Sequence, residues 1–213
     1  MLKNRVDPWG ALNAVPDRGT LMGNRGILHN ENNEVIRPWT HKGWVTCLLS
    51  YKSIRRPKPF SAGNYSELFF LDEATAFAAG HRPCTTCQRE RSKQFKEAWI
   101  RANVGTAGAG QHIAMSEIDK VLHNERAQRG GGKRSYAATL SELPLGTMFS
   151  IDSAAYLVGR SGYHRWSFSG YGEPEKLADD ATVSVLTPAS IVSAFSAGFV
   201  PAALVTSGQH SHT

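Results

Sequence analysis

Two cysteines three positions apart, in Cys84-Thr85-Thr86-Cys87, constrain this chain more than any other feature. They follow Ala79-Gly80-His81-Arg82-Pro83, so the first thiol comes just after a proline and the second closes a tight turn. That spacing lets both sulfurs face one ion, and thiolate is a ligand zinc prefers in tetrahedral sites. The rest of the chain can therefore be read around a metal-stapled module. The whole sequence holds 3 cysteines, which is too few for a disulfide scaffold. An odd number fits a metal site completed by histidine.

The 213 residues suffice for one large domain or two small ones with real cores. A hydrophobic content of 41% and a mean hydropathy of −0.33 point to a soluble globular class. No apolar run approaches the roughly 20 residues a membrane helix needs. The start, Met1-Leu2-Lys3-Asn4-Arg5-Val6-Asp7-Pro8-Trp9-Gly10, lacks the apolar core of a secretion signal, so a cytoplasmic protein is expected. The net charge is +6 and the isoelectric point about 9.4, which favours polyanionic partners through phosphate neutralisation and counterion release. Basic residues gather in three places: Lys52, Arg55, Arg56 and Lys58; Arg82, Arg89, Arg91 and Lys93; and Arg126, Arg129, Lys133 and Arg134. The last group surrounds Gly130-Gly131-Gly132, a flexible cationic loop able to follow a phosphate backbone, or else a solvated surface loop.

Asp7 to Arg25 reads as loop, with turn signals at Pro8 and Pro16. Residues 25–29 and 34–37 flank Asn30-Glu31-Asn32-Asn33 and predict a hairpin; strands follow over Trp44 to Tyr51 and Tyr65 to Leu71. Asp72 is expected to cap a short helix over Glu73 to Ala79 that Gly80 stops, and a longer helix is expected over Cys87 to Ala102. Gly105 to Gly110 is the best linker. Beyond it the pattern predicts a helix over Ser116 to Ala127, strands over 147–151, 154–158, 164–168 and 182–186, and a last helix over Ala189 to Ala197. The expected class is α+β: a small antiparallel sheet with a zinc knuckle and helices over residues 1–104, then a helix and a β-rich half over 105–213, the two able to share one core.

The stretch from Leu68-Phe69-Phe70-Leu71-Asp72-Glu73 through Ala79-Gly80-His81-Arg82-Pro83 to Cys84-Thr85-Thr86-Cys87, with the basic residues after it to position 92, resembles the zinc module of Ada-type DNA alkylation-repair proteins. In that family a strand leads to a short alanine-rich helix, an Ala-Gly-aromatic-Arg-Pro-Cys-x-x-Cys turn and a basic helix. Similar modules occur in other small bacterial DNA-associated proteins. The resemblance implies zinc as cofactor and DNA as partner, with Cys84, Cys87 and Cys47 as ligands. The family's second close cysteine pair, one member of which accepts a methyl group from a DNA phosphotriester, is reduced here to Cys47 alone. Either a histidine therefore replaces one thiol, with His41, in the turn before the strand carrying Cys47, the expected fourth ligand and His29 the alternative, or no closed site forms. His81 stands at the family's aromatic position, where packing is expected.

Further candidates come from the residues themselves. Arg18 and Arg25 lie in the glycine-rich Arg18-Gly19-Thr20-Leu21-Met22-Gly23-Asn24-Arg25-Gly26, where a backbone can approach an anion and arginine can bind phosphate; a glycine turn is the alternative. Asp119 and His123 share one face of a predicted helix, as a carboxylate-tuned base or as helix-surface ion pairing. Tyr163 and Trp166 lie in a glycine- and arginine-rich aromatic stretch able to stack on bases, or to pack a hairpin core. Together these predict a zinc-stabilised DNA-binding protein that processes damaged or modified DNA. Arg18, Arg25, Arg55, Arg56, Arg129, Lys133, Arg134, Tyr163 and Trp166 would contact nucleic acid, and Asp119 with His123 would serve base excision of the glycosylase type. The alternatives are a non-catalytic nucleic-acid-binding module and a methyl acceptor using Cys47. Nothing in the sequence implies an obligate protein partner.

Overall fold

The computed structural model describes residues 1–52, 58–105 and 112–205. Arg55, Arg56 and the linker residues 106–110 lie outside the described residues. The fold is α+β, with 4 helices and two sheets of 6 strands each. The first sheet holds β1 (Arg5–Val6), β2 (Leu12–Asn13), β3 (Leu21–Asn24), β4 (Val45–Leu48), β5 (Leu68–Phe70) and β6 (Arg82–Pro83), in the order β2-β1-β5-β3-β4-β6. It is mixed rather than antiparallel: β1 runs parallel to β5, and β4 parallel to β6. The second holds β7 (Tyr136–Thr139), β8 (Met148–Ile151), β9 (Ala154–Val158), β10 (Tyr163–Ser167), β11 (Gly170–Glu175) and β12 (Thr182–Val185), in the order β11-β10-β9-β8-β12-β7, antiparallel throughout.

The helices are α1 (Glu73–Ala78), α2 (Arg89–Asn103), α3 (Met115–Arg126) and α4 (Ala189–Ser196). Asp72 starts α1 by accepting hydrogen bonds from the Thr75 backbone N–H at 2.8 Å and the Thr75 hydroxyl at 2.7 Å. Gly80 ends the turn after α1 with φ of +82°; a Cβ there would lie 2.4 Å from the Arg126 Cδ, so only glycine fits both the backbone and its neighbour. The hairpin expected at 25–37 forms as a short turn-back, its antiparallel His29–Val35 bridge flanked by Ile36 N–H on the Leu28 carbonyl at 2.8 Å and Asn30 N–H on the Glu34 carbonyl at 3.0 Å, while the strand β3 just upstream pairs with β4 and β5 instead.

Alanine-rich α1 is small enough to lie between both halves of the chain. Phe77 packs with Phe95 and Trp99 of α2, Ile118 and Leu122 of α3, and Phe195 of α4. Ala74 and Ala78 instead touch Met148, Leu157 and Leu186 beneath the second sheet. Each fully buried aromatic or aliphatic side chain contributes about 1.5–3 kcal/mol. The segment after α4 then straps back over the start of α1: Ala202 N–H donates to the Glu73 carboxylate at 2.8 Å and Leu204 N–H to the Asp72 carboxylate at 2.9 Å. Arg91 joins the same carboxylate of Glu73 at 2.6 Å and also reaches the Val200 carbonyl.

Candidate metal centre and cationic cleft

The parallel pairing of β4 with β6 brings the cysteines together. Val45 lies opposite Arg82 and Thr46 opposite Pro83, so one step further along both strands Cys47 meets Cys84. The Cys84 N–H donates to the Thr46 carbonyl at 2.9 Å, and the Gln88 side chain holds the same carbonyl at 2.8 Å, which fixes the start of the knuckle. Cys87 comes round the turn, and the three Sγ atoms lie within 4.8 Å of one another. Thiolates about 2.3 Å from a tetrahedral ion sit about 3.8 Å apart, so this triangle could hold a metal ion with little movement. The Thr86 N–H points at the Cys84 Sγ at 3.4 Å. Cys84 is held toward the thiolate, first by the Cys47 thiol donating to it, and Cys47 is raised by that same contact. Proton-sharing of this kind is what three crowded thiols do where a cation would otherwise balance them.

Among the described residues no histidine or carboxylate joins the group. The expectation of His41 as fourth ligand is corrected here. Its turn is pinned at the opposite end of β4 from Cys47: Thr40 N–H bonds to the Arg25 carbonyl, and the His41 carbonyl accepts from the Trp44 indole at 3.0 Å. His29 is buried elsewhere, with Nδ1 2.6 Å from the Ser66 hydroxyl and its ring stacked on Phe60.

The Arg-Pro lead-in serves a different purpose from metal binding. Arg82 makes a two-pronged ion pair with Asp119 of α3, Nε to Oδ1 at 2.8 Å and Nη2 to Oδ2 at 2.6 Å, both side chains nearly buried. Both Asp119 oxygens are thereby committed to holding α3 on β6. His123 lies one turn along α3 with its ring edge-on to Trp39 and Trp44. It lies beside Arg129 and Arg134 in a hollow that Trp39 also lines. The structure thus separates the proposed acid–base pair into a tie and a wall residue.

One residue before β4, Trp44 carries two guanidiniums on its ring, Arg25 at 4.3 Å and Arg126 at 4.2 Å. Arg126 also donates to the carbonyls of Gly80 and Lys42. His81 is fully buried; its Nε2 accepts from Arg25 Nε at 3.2 Å. Burial, then the charges of Arg25 and Arg126, hold it well below its ordinary range, so it is a neutral acceptor. No protein-family model, curated protein or solved structure matches this chain. Its chemistry is therefore argued from this arrangement alone.

The stack opens into a cleft of about 400 Å³ lined by Trp9, Trp39 and Trp44, by Lys3, Arg25, Arg37 and Lys133, and by Gly130 to Gly132, with no acidic side chain among the lining residues. Trp39 separates this cleft from the hollow containing His123, Arg129 and Arg134. Of the residues expected to contact nucleic acid, Arg25, Arg129 and Arg134 meet around this feature, as does Lys133, whose ammonium however donates to the Leu186 carbonyl. Arg18 is exposed near β3, where Arg5 is its cationic neighbour. Trp166 is committed to packing, with its indole N–H on the Thr75 hydroxyl at 3.0 Å, and Tyr163 packs edge-on to Phe149. Both rings are half-buried in the second sheet, and neither lines the cationic cleft. Sequence reasoning missed Trp9, Trp39, Trp44 and Arg37. The available signal was Arg37-Pro38-Trp39 followed five residues later by Trp44, cations and indoles in one short loop.

Proposed function

We propose that this chain is a zinc-stapled nucleic-acid-binding protein that acts on damaged or modified DNA. The observation that carries the reading is the cationic, tryptophan-lined cleft free of acidic side chains. Arginine and lysine neutralise phosphates, and indoles stack on bases of any sequence. Zinc suits the three thiols because it accepts sulfur in a tetrahedral shell and needs no redox chemistry. Its role is to lock β4 to β6, and through Trp44 and His81 to hold Arg25 in place.

The test is binding of fluorescently labelled single- and double-stranded DNA to metal-loaded protein over a salt series. Affinity should fall linearly on a log–log plot as salt rises, and Arg37→Glu with Arg129→Glu should weaken binding about a hundredfold. Absence of binding at low ionic strength overturns the reading.

Base excision is the second reading, favoured because the cleft has the size and aromatic walls to receive one extruded base. With Asp119 tied to Arg82, the hydrolytic residue would lie elsewhere. Alkali-revealed strand breaks in a panel of base-modified duplexes, dependent on added protein, are the expected product; intact strands across the panel leave the binding reading alone. Transfer of a labelled methyl group from DNA to Cys47 in the same incubations would assign the protein to methyl acceptance instead.

A further inference from the structure

Arg25 is buried, 3% exposed, yet its guanidinium is only partly satisfied. Nε is used on His81, Nη1 donates to the Gly10 carbonyl at 3.0 Å, and the plane lies against Trp44. Nη2 has no hydrogen-bond partner. These contacts fix the guanidinium plane and with it Nη2, which lies next to Gly10 of the cleft lining: a Cβ built on Gly10 would sit 3.4 Å from Nη2 and 3.7 Å from the Lys133 Cδ. A buried charged donor left unpaired carries a desolvation cost that an incoming anion removes. The nearest acid felt by Arg25 is Asp7, but its oxygens are taken by the Ala11 N–H and the Asn13 amide, each at 2.9 Å, and it does not line the cleft.

The ligand class follows from what else is present. The Lys133 ammonium is spent on the Leu186 carbonyl, so the positive charge added at the lining is that of the exposed Lys3 and Arg37. A bare inorganic anion would not need two further indoles, Trp9 and Trp39, nor a volume of about 400 Å³. An uncharged aromatic would not need the cations. Gly130, Gly131 and Gly132, all with positive φ, contribute wall without side chains, so a ligand can lie directly on their backbone.

We infer that the cleft is a subsite for a single nucleotide unit, its phosphate on Arg25 Nη2 with Arg37 and its base against Trp9 or Trp39. This rests on the nucleic-acid reading and deepens it, naming the cleft as the place where one unit of the polymer is held. The metal-loaded full chain is titrated with deoxythymidine monophosphate, with deoxythymidine and with inorganic phosphate, following tryptophan fluorescence. The monophosphate should saturate and quench, binding at least about tenfold more tightly than either fragment. Gly10→Ala places a methyl on the floor, and Arg37→Met removes one exposed lining cation without touching Arg25; each should weaken monophosphate binding about tenfold or more at unchanged metal content and circular dichroism. If Gly10→Ala does not fold, Arg37→Met decides. Failure of the monophosphate to saturate, equal binding of phosphate alone, or an Arg37→Met variant that binds normally would overturn the inference. A labelled oligonucleotide separates the two levels. Oligonucleotide binding that the monophosphate cannot compete sinks the subsite and leaves the nucleic-acid reading standing. Monophosphate binding without oligonucleotide binding does the reverse.

Discussion

The two sheets are held together by different physics. The first is built from strands of 2 to 4 residues, too short to be stable by ladder hydrogen bonds; to an apolar cluster of Val6, Leu28, Leu68 and Phe70 it adds polar ties, the Arg82–Asp119 pair and Trp44 with its two guanidiniums, and a thiol triangle that could hold a metal ion. The second uses strands of 4 to 6 residues in an antiparallel run and closes over Leu140, Phe149, Val183 and Val185. A sheet fastened by polar groups can place cations at a cleft, whereas one fastened by apolar packing gives only support.

This contrast predicts unequal responses. Chelation under reducing conditions should have the largest effect: hydrogen exchange over 44–48 and 81–88 should become fast while 148–158 stays protected, since structural thiolate sites contribute roughly 10 kcal/mol or more of apparent binding energy. Mass spectrometry should find one zinc per folded chain, and unchanged exchange after chelation would refute the metal staple. Next, Arg82→Met should cost about 3–5 kcal/mol in urea unfolding by stranding the Asp119 charge, and the double change with Asp119→Leu should recover much of it. Phe149→Ala should cost a similar 3–5 kcal/mol through a cavity in the second sheet, with or without metal. A single-mutant cost for Arg82→Met below that of a surface change would remove the polar-fastening argument.

Acid sharpens the comparison further. Buried neutral His81 has its folded pKa depressed below the ordinary 6.5, so the unfolded chain binds a proton first as pH falls. Its contribution is present above about pH 6.5 and is lost below it, and His81→Gln, which keeps an acceptor for Arg25, should flatten the stability slope between about pH 6.5 and 5. An unaltered slope would assign acid sensitivity to the thiols alone. Smallest of all, Lys93→Ala breaks an exposed pair with Glu97 at 4.0 Å and should not move the unfolding midpoint measurably.

Legibility in the sequence followed the same division. β8, β9, β10 and β12 of the second sheet, the α1 cap at Asp72 and the stop at Gly80 are local events read from alternation and turn chemistry within a residue or two, whereas β7 and the glycine-rich β11 show no such alternation and are missed by it. The first sheet depends on pairings between distant, very short segments. Leu21–Asn24 reads as loop because strand formation there is imposed by β4 and β5 on either side, and Arg82–Pro83 has too few residues to show any period. Cys47 could be grouped with Cys84 and Cys87 because sulfur is rare in the chain. His41 could not be excluded, since its distance from them depends on the Thr40 to Arg25 contact. Asp119 offered a carboxylate on a helix face, and only the fold reveals that Arg82 occupies it.

The strap formed by residues 200–204 has a consequence for synthesis. Asp72 and Glu73 are buried acids whose backbone donors arrive some 130 residues later, as the separations of 129 and 132 positions record. While the ribosome still holds that later segment, the start of the first helix stays open to water and the early half remains unfinished. The helix that both halves of the chain pack against is therefore sealed at its start only once residues 200–204 have left the ribosome.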